Sequence, residues 1–188
     1  MSSTLSALTD GELADLAVAG HDRAFAEIMQ RYSRPVYRLV LANIADPDEA
    51  LDLVQEAFVS AHRALARYDR DRPMSAWLAR IALNKCRDWA RRRAVRSLFR
   101  FARPIHEVAD VHADDRPLQD VEAADRADLA RVTRAIAALP TSQREPLILC
   151  SVEGRSQAEA AAILSITEKA VETRLRRARL ALNAVLGR

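Results

Sequence analysis

SQAEAAAILSITEKAVETRLRRARLAL, residues 156–182, is the stretch that decides the fold. Ser156 and Glu159 have the spacing of a capping box, with an apolar-periodic segment directly behind them. The helix they open, roughly residues 157–164, is short and alanine-rich, and Ala161 in its middle lets another helix come close. Residues 165–167 make a brief break. Thr167 is a natural N-cap for a longer helix that runs to about residue 186. Val171, Leu175, Ala178 and Leu182 recur at four, three and four residues, so they form one apolar stripe. At about 3.6 residues per turn, Lys169, Thr173, Arg176 and Arg177 fall on the far side. A short helix, a tight turn and a longer helix with a basic outer face is the helix-turn-helix pattern, whose second helix fits a major groove. An ordinary helical hairpin with a solvated basic face would look the same, so the rest of the chain must decide.

The chain of 188 residues has room for one domain or two small ones. It holds only four glycines and little strand-type alternation, which points to an all-α protein. Charge is unevenly spread: residues 85–100 carry seven basic and one acidic side chain, and residues 101–128 carry three basic and eight acidic. That polarity fits two nucleic-acid-facing modules joined by an acidic connector. Cys86 and Cys150 are far apart and match no zinc or CxxC spacing, so a reduced, cytoplasmic protein is expected. His21, His62, His106 and His112 are scattered and read as structural or solvated. With no Gly-rich phosphate loop, metal cluster or nucleophile elbow in the sequence, neither a cofactor, a metal nor an enzymatic activity is expected. No apolar run is long enough for a membrane span, and the first residues lack a signal-peptide layout.

From the start of the chain, Thr9 or Asp10 can cap a short helix carrying Leu13, Leu16 and Ala17, with Gly20 ending it. Asp22 restarts a helix with Phe25, Ile28, Met29 and Tyr32 on one face. Pro35 is expected to interrupt it, and a further helix carries Val36, Leu39, Val40 and Ile44. Asp46 and Pro47 are an N-cap and a first helical residue for a helix running to about residue 68. Leu51, Val54, Phe58, Ala61 and Leu65 make its expected core stripe. Glu49, Asp52, Leu53, Glu56, Ser60 and Arg63 fall opposite. A single exposed Leu is ordinary, but Leu53 ringed by carboxylates also has the makeup of a small protein-docking patch.

Residues 69–73 form a charged loop ending in Pro73, and Ser75 can cap the next helix, with Leu78, Ile81, Ala82 and Trp89 inward. A second stripe holds Trp77, Arg80, Asn84, Arg87 and Arg91. A ring interleaved with guanidinium groups and an amide suits single-stranded nucleic acid: bases stack on the ring at about 1–3 kcal/mol each while cations follow the phosphates. The alternative is a core Trp77 beside solvated arginines. Residues 97–121 are an acidic connector with Pro104, Pro117, Asp114 and Asp115, expected to be a flexible linker in which Leu98, Phe99 and Phe101 extend the preceding helix. It separates a first domain, residues 1–96, from a second, residues 122–188. There Leu129, Val132, Ile136 and Leu139 form an amphipathic helix that Pro140 ends, and Ser142 with Glu145 has capping-box spacing for the next.

DLVQEAF (52–58) followed by SAWLARIALN (75–84) resembles the second conserved region of bacterial RNA polymerase sigma factors. Leu139-Pro140, Gln143-Arg144-Glu145, Glu153-Gly154, residues 158–164 and VETRLRRAR (171–179) resemble the fourth. With only these two regions and a short linker, the chain resembles the small extracytoplasmic-function group. The resemblance implies that Asp52, Leu53, Gln55 and Glu56 dock on the clamp helices of the core polymerase's largest subunit. It implies that Asp69, Arg70 and Arg72 in the loop, with Trp77, Arg80, Asn84, Arg87 and Arg91 on the following helix, hold the opened non-template strand of the −10 element. The helix after Thr167, with Lys169, Glu172, Thr173, Arg176 and Arg177, would read the −35 duplex of promoter DNA. An anti-sigma factor is an expected partner. This chain departs from the family pattern in having Met74 where many relatives carry an aromatic residue, and Ser165 where the turn usually has glycine. Glu172, near the groove-facing surface, repels phosphate but can accept from a cytosine amino group. A stand-alone helix-turn-helix regulator is the competing reading; it leaves the Trp77 stripe and the Leu53 patch without a role.

Overall fold

The structure, a computed structural model, describes the backbone of residues 5–101 and 120–187 and the side chains of residues 5–96 and 129–187. Eight α-helices and no strand are found among the described residues. The linker expected at residues 97–121 overlaps the end of α4 and the start of α5, and residues 102–119 lie outside the described residues.

Helices α1 (Asp10–Val18), α2 (Asp22–Ile44), α3 (Pro47–Ala64) and α4 (Met74–Phe101) pack into the first bundle. Thr9 caps α1 in a full capping box: Glu12 N donates to Thr9 Oγ1, and Thr9 N donates to Glu12 Oε2 at 2.7 Å. Those hydrogen bonds hold the Glu12 carboxyl below its ordinary pKa. Contrary to expectation, Pro35 lies inside α2 and does not end it. A proline in a helix interior costs about 3 kcal/mol. The apolar stripe runs in phase across it, however, with Phe25 and Ile28 buried on one side and Val36, Leu39 and Val40 on the other. Burying both halves of one stripe against α3 and α4 offsets the lost backbone bond. Ala45 then takes a left-handed conformation (φ 54°), and Asp46 caps α3 by accepting from Glu49 N at 3.2 Å.

The buried band of α3 is Ala50, Leu53, Val54, Ala57, Phe58 and Ala61, whereas Leu51 is 53% exposed. Because α2 and α4 both pack on α3, the band is wide and filled partly by alanine, and it includes Leu53. The start of α4 also shifts from the sequence reading. Pro73 O accepts from the N–H groups of Ala76 and Trp77, so the helix opens at Met74 and Ser75 lies in its first turn.

The second bundle comprises α5 (Asp120–Ala138), α6 (Thr141–Leu147), a turn of π-helix (Ile148–Val152), α7 (Gln157–Leu164) and α8 (Glu168–Leu186). The expected cap from Ser142 and Glu145 does not form: Pro140 occupies the N-cap of α6, and Glu145 turns toward α4. Arg144 is instead the local organiser, its guanidinium donating to the carbonyls of Ala137 (2.6 Å) and Leu139 (3.4 Å) at the end of α5. The helix-turn-helix forms with the caps the sequence predicts. Ser156 and Glu159 make a capping box, and Thr167 Oγ1 accepts from Ala170 N at 3.1 Å. Val171, Leu175 and Ala178 are buried against α6 and α7.

Ser165 makes the turn in the left-handed region, φ 56° and ψ 47°, where a Cβ is strained. Ser165→Gly is therefore expected to raise the unfolding free energy by about 1 kcal/mol, the relieved strain less glycine's extra chain entropy. Urea denaturation reads this as a higher midpoint. An unchanged or lower midpoint would mean that the serine side chain holds the turn.

Candidate nucleic-acid and protein interfaces

The outer face of α8 carries its charges in two arrangements. Lys169 Nζ sits 2.8 Å from Glu172 Oε2, and this cation holds the Glu172 carboxyl below its ordinary pKa. Thr173 Oγ1 donates back to Lys169 O at 2.9 Å. Arg176 and Arg177 are exposed one turn further on and make no ion pair among the described residues. All five predicted duplex residues thus lie on one side of α8, opposite its buried stripe, with the first cation neutralised and the last two open.

On the first bundle, Trp77 is half-buried and rests on Tyr68, with ring centroids 5.0 Å apart at 46°. Tyr68 is buried, and its hydroxyl donates to Arg72 O at 2.5 Å, closing the loop of residues 69–73 on itself. Met74 is buried at 1% exposure, so the aromatic partner of Trp77 comes from the front of the loop instead. Arg72 pairs with Asp69 at 3.2 Å within the loop. Arg80 and Asn84 are exposed beside Trp77. The predicted stripe divides at its far end. Arg91 pairs with Asp88, while Arg87 donates from Nε and Nη2 to the two carboxylate oxygens of Glu145 on α6, at 2.7 and 2.5 Å. The Glu145 side chain is only 5% exposed, against 38% for Arg87. Arg155 to Ser75 O (3.3 Å) and Arg38 to Glu153 (3.7 Å) are further polar contacts between the two bundles.

The acidic face of α3 differs from expectation in one member. Asp52 and Gln55 are exposed and Glu56 is half-buried, but Leu53, at 1% exposure, belongs to the core and is not on this face. The exposed apolar side chain there is Val59, 49% exposed, a smaller residue than the leucine that the sequence pattern puts forward. Asp52, Gln55, Glu56, Val59 and Lys85 border an open groove of about 430 Å³. Lys85 (3.6 Å) and Arg92 (3.8 Å) approach Glu56 from α4.

Among the described residues no His, Cys, Asp and Glu side chains group as a metal site. Both cysteines are free, and burial pushes the Cys86 thiol up to about 12, which keeps it protonated and unreactive. No helix of the described residues is long and apolar enough to cross a membrane.

Two family models match the chain in order: Sigma-70 region 2 over residues 28–96 and Sigma-70 region 4 over residues 129–182. The RNA polymerase sigma factor CnrH of Cupriavidus metallidurans is 40% identical over 179 residues, covering 94% of each chain. The solved structure of CnrH in complex with the cytosolic domain of CnrY superposes with a TM-score of 0.67 at 37% identity, over 95% of this chain and 97% of that one. The ECF RNA polymerase sigma factor SigM of Mycobacterium tuberculosis is 34% identical, over 95% of this chain and 85% of its own. The sigma factor RpoE of Bartonella quintana, solved in complex with the anti-sigma factor NepR, gives a TM-score of 0.67 at 25% identity, over 87% of this chain and 96% of that one.

Proposed function

The chain belongs to the extracytoplasmic-function group of RNA polymerase sigma factors, and from that premise we propose how its surfaces divide the work. It is an alternative sigma factor that directs promoter-specific transcription initiation, acting in the cytoplasm with core RNA polymerase and promoter DNA. The face of α3 bearing Asp52, Gln55, Glu56 and Val59 docks on core polymerase. Trp77, Arg80 and Asn84, with the loop of residues 69–73, meet the opened non-template strand. Arg87 joins them only after Glu145 releases it. An anti-sigma factor, as in the complex of RpoE with NepR, binds the protein when it is not on core polymerase.

The observation that carries the duplex assignment is α8 itself. A capped helix buries Val171, Leu175 and Ala178 and leaves Lys169, Glu172, Arg176 and Arg177 outside. Early positions of a recognition helix reach base edges and later cations hold phosphates. Lys169 and Glu172, already paired, act as one unit that offers a donor and an acceptor to a base pair; Arg176 and Arg177 supply affinity. The test is the affinity of the full chain, assembled with core polymerase, for a panel of −35 duplexes at several salt concentrations. Arg177→Ala is expected to weaken all sequences alike and lower the log-salt slope by about one. Lys169→Ala is expected to change base preference by about 1–3 kcal/mol. An intact salt slope with altered preference in Arg177→Ala would reverse the two roles.

A further inference from the structure

We propose that Asp15, on α1, is the positioning residue that sets the shape of the strand-facing loop, and that it acts through Arg70. This rests on the loop of residues 69–73 meeting the opened strand. Arg70 is a strut inside the loop and not a contact to DNA.

Arg70 turns its donors inward. Nε and Nη2 both donate to Asp15 Oδ1, at 2.9 and 2.6 Å, and Nη1 donates to Tyr68 O at 2.5 Å. Its guanidinium carbon lies 5.9 Å from the centre of the Tyr68 ring. The stem crosses α1 at Gly11, where a Cβ would stand 3.4 Å from Arg70 Cγ. Tyr68 passes the constraint on twice: its ring supports Trp77, and its hydroxyl holds Arg72 O. Asp15, Arg70, Tyr68 and Trp77 therefore form one connected path from α1 to the ring proposed to stack on a base.

The far end of that path is fixed. Leu13 and Ala14 are fully buried, and Thr9 caps the helix. Asp10 is bound by Arg31 Nη1 at 3.2 Å and by the Tyr32 hydroxyl at 2.5 Å. An anchored helix thus carries an exposed carboxylate to the cation that ties the loop to Tyr68. The Asp15 and Arg70 side chains are 67% and 34% exposed, and ion pairs this exposed add little to global stability. Removing the carboxylate should change the loop and leave the bundle folded. The start of α1 and the loop together line an open groove of about 430 Å³, so loosening the strut alters the shape of a surface already accessible to a strand.

The experiment uses the full chain assembled with core RNA polymerase, and as probe a promoter bubble library randomised across the non-template −10 positions. Wild type, Asp15→Ala, Arg70→Ala, their double variant and the conservative Asp15→Glu are compared. Both single alanine variants are expected to lose about tenfold in base discrimination at the same position, the size of one base contact. The double variant should be no worse than either, and Asp15→Glu, which keeps the carboxylate and leaves Arg70 on Tyr68, should retain discrimination. Preference at the −35 duplex and the melting temperature should stay near wild type in all four variants. Unchanged or sharpened discrimination in Asp15→Ala, with loss in Arg70→Ala, would overturn the proposal, because Arg70 would then be a direct contact for which Asp15 competes. A wild-type complex without base preference in the bubble would overturn the loop's assignment to the strand as well, and is seen before any variant is compared.

Discussion

Replacing Leu53 with alanine is expected to lower the unfolding free energy by about 2–5 kcal/mol, the range for a leucine truncated in a core. Leu53 is 1% exposed and lies in the band of α3 that meets α2 and α4, so the missing atoms leave a cavity among three helices. The loss should appear as a lower midpoint in urea denaturation followed by circular dichroism. Substitutions one step around the helix are expected to do the opposite. Glu56→Lys or Val59→Asp changes a half-buried or exposed side chain, so stability should hold while affinity for core polymerase falls. An unaltered midpoint in Leu53→Ala, accompanied by lost polymerase affinity, would return that side chain to the docking face.

The second large effect is expected at the junction of the two bundles. Arg87→Ala removes the partner of a carboxylate that is 5% exposed. Breaking a buried pair from one side costs about 3–5 kcal/mol, and the neighbouring Arg144, which also feels the Glu145 charge, offsets part of that. The chain can escape that cost by parting α4 from α6 and letting Glu145 reach water. Small-angle scattering is then expected to show a larger radius of gyration for Arg87→Ala, with helicity unchanged. Glu145→Gln should disturb the protein less, since the Arg87 side chain it leaves is 38% exposed and can be solvated. The double variant Arg87→Ala/Glu145→Gln should cost less than the two single changes summed, the sign of direct coupling. Wild-type dimensions and stability in Arg87→Ala would mean that Glu145 is satisfied without it.

What could be read from the sequence was local. Ser156 with Glu159, Thr167 with Ala170, and Asp46 with Glu49 are all partners three residues apart, and each forms as the spacing predicts. The α8 stripe was legible for the same reason: four apolar residues repeat on one helix, and a single direction of burial makes that repeat unambiguous. Local pattern gives way where distant elements outweigh it. Pro35 looked like a helix end because its own cost is local, whereas the stripe that overrides it draws its energy from α3 and α4. Leu53 looked exposed because the expected stripe followed the large residues, while a helix packed on two sides also buries Ala50, Ala57 and Ala61. Glu145 has the spacing of a cap, but the helix opens at Thr141, which places Ser142 inside its first turn, and Glu145 bonds Arg87 instead. The pairing of Asp15 with Arg70 leaves no periodic trace at all, since one exposed acid resembles another until the fold brings a cation beside it.

The division of labour between the two bundles is tested most directly by run-off transcription with purified core RNA polymerase on a library of genomic promoter fragments. Adding the chain is expected to start transcription at a small set of sites absent with core alone. Those sites should share two sequence elements, with Trp77→Ala impairing duplex templates more than templates already opened at the −10 element. Duplex binding by the chain with no new transcript from core polymerase would contradict the account and leave a stand-alone helix-turn-helix regulator in its place.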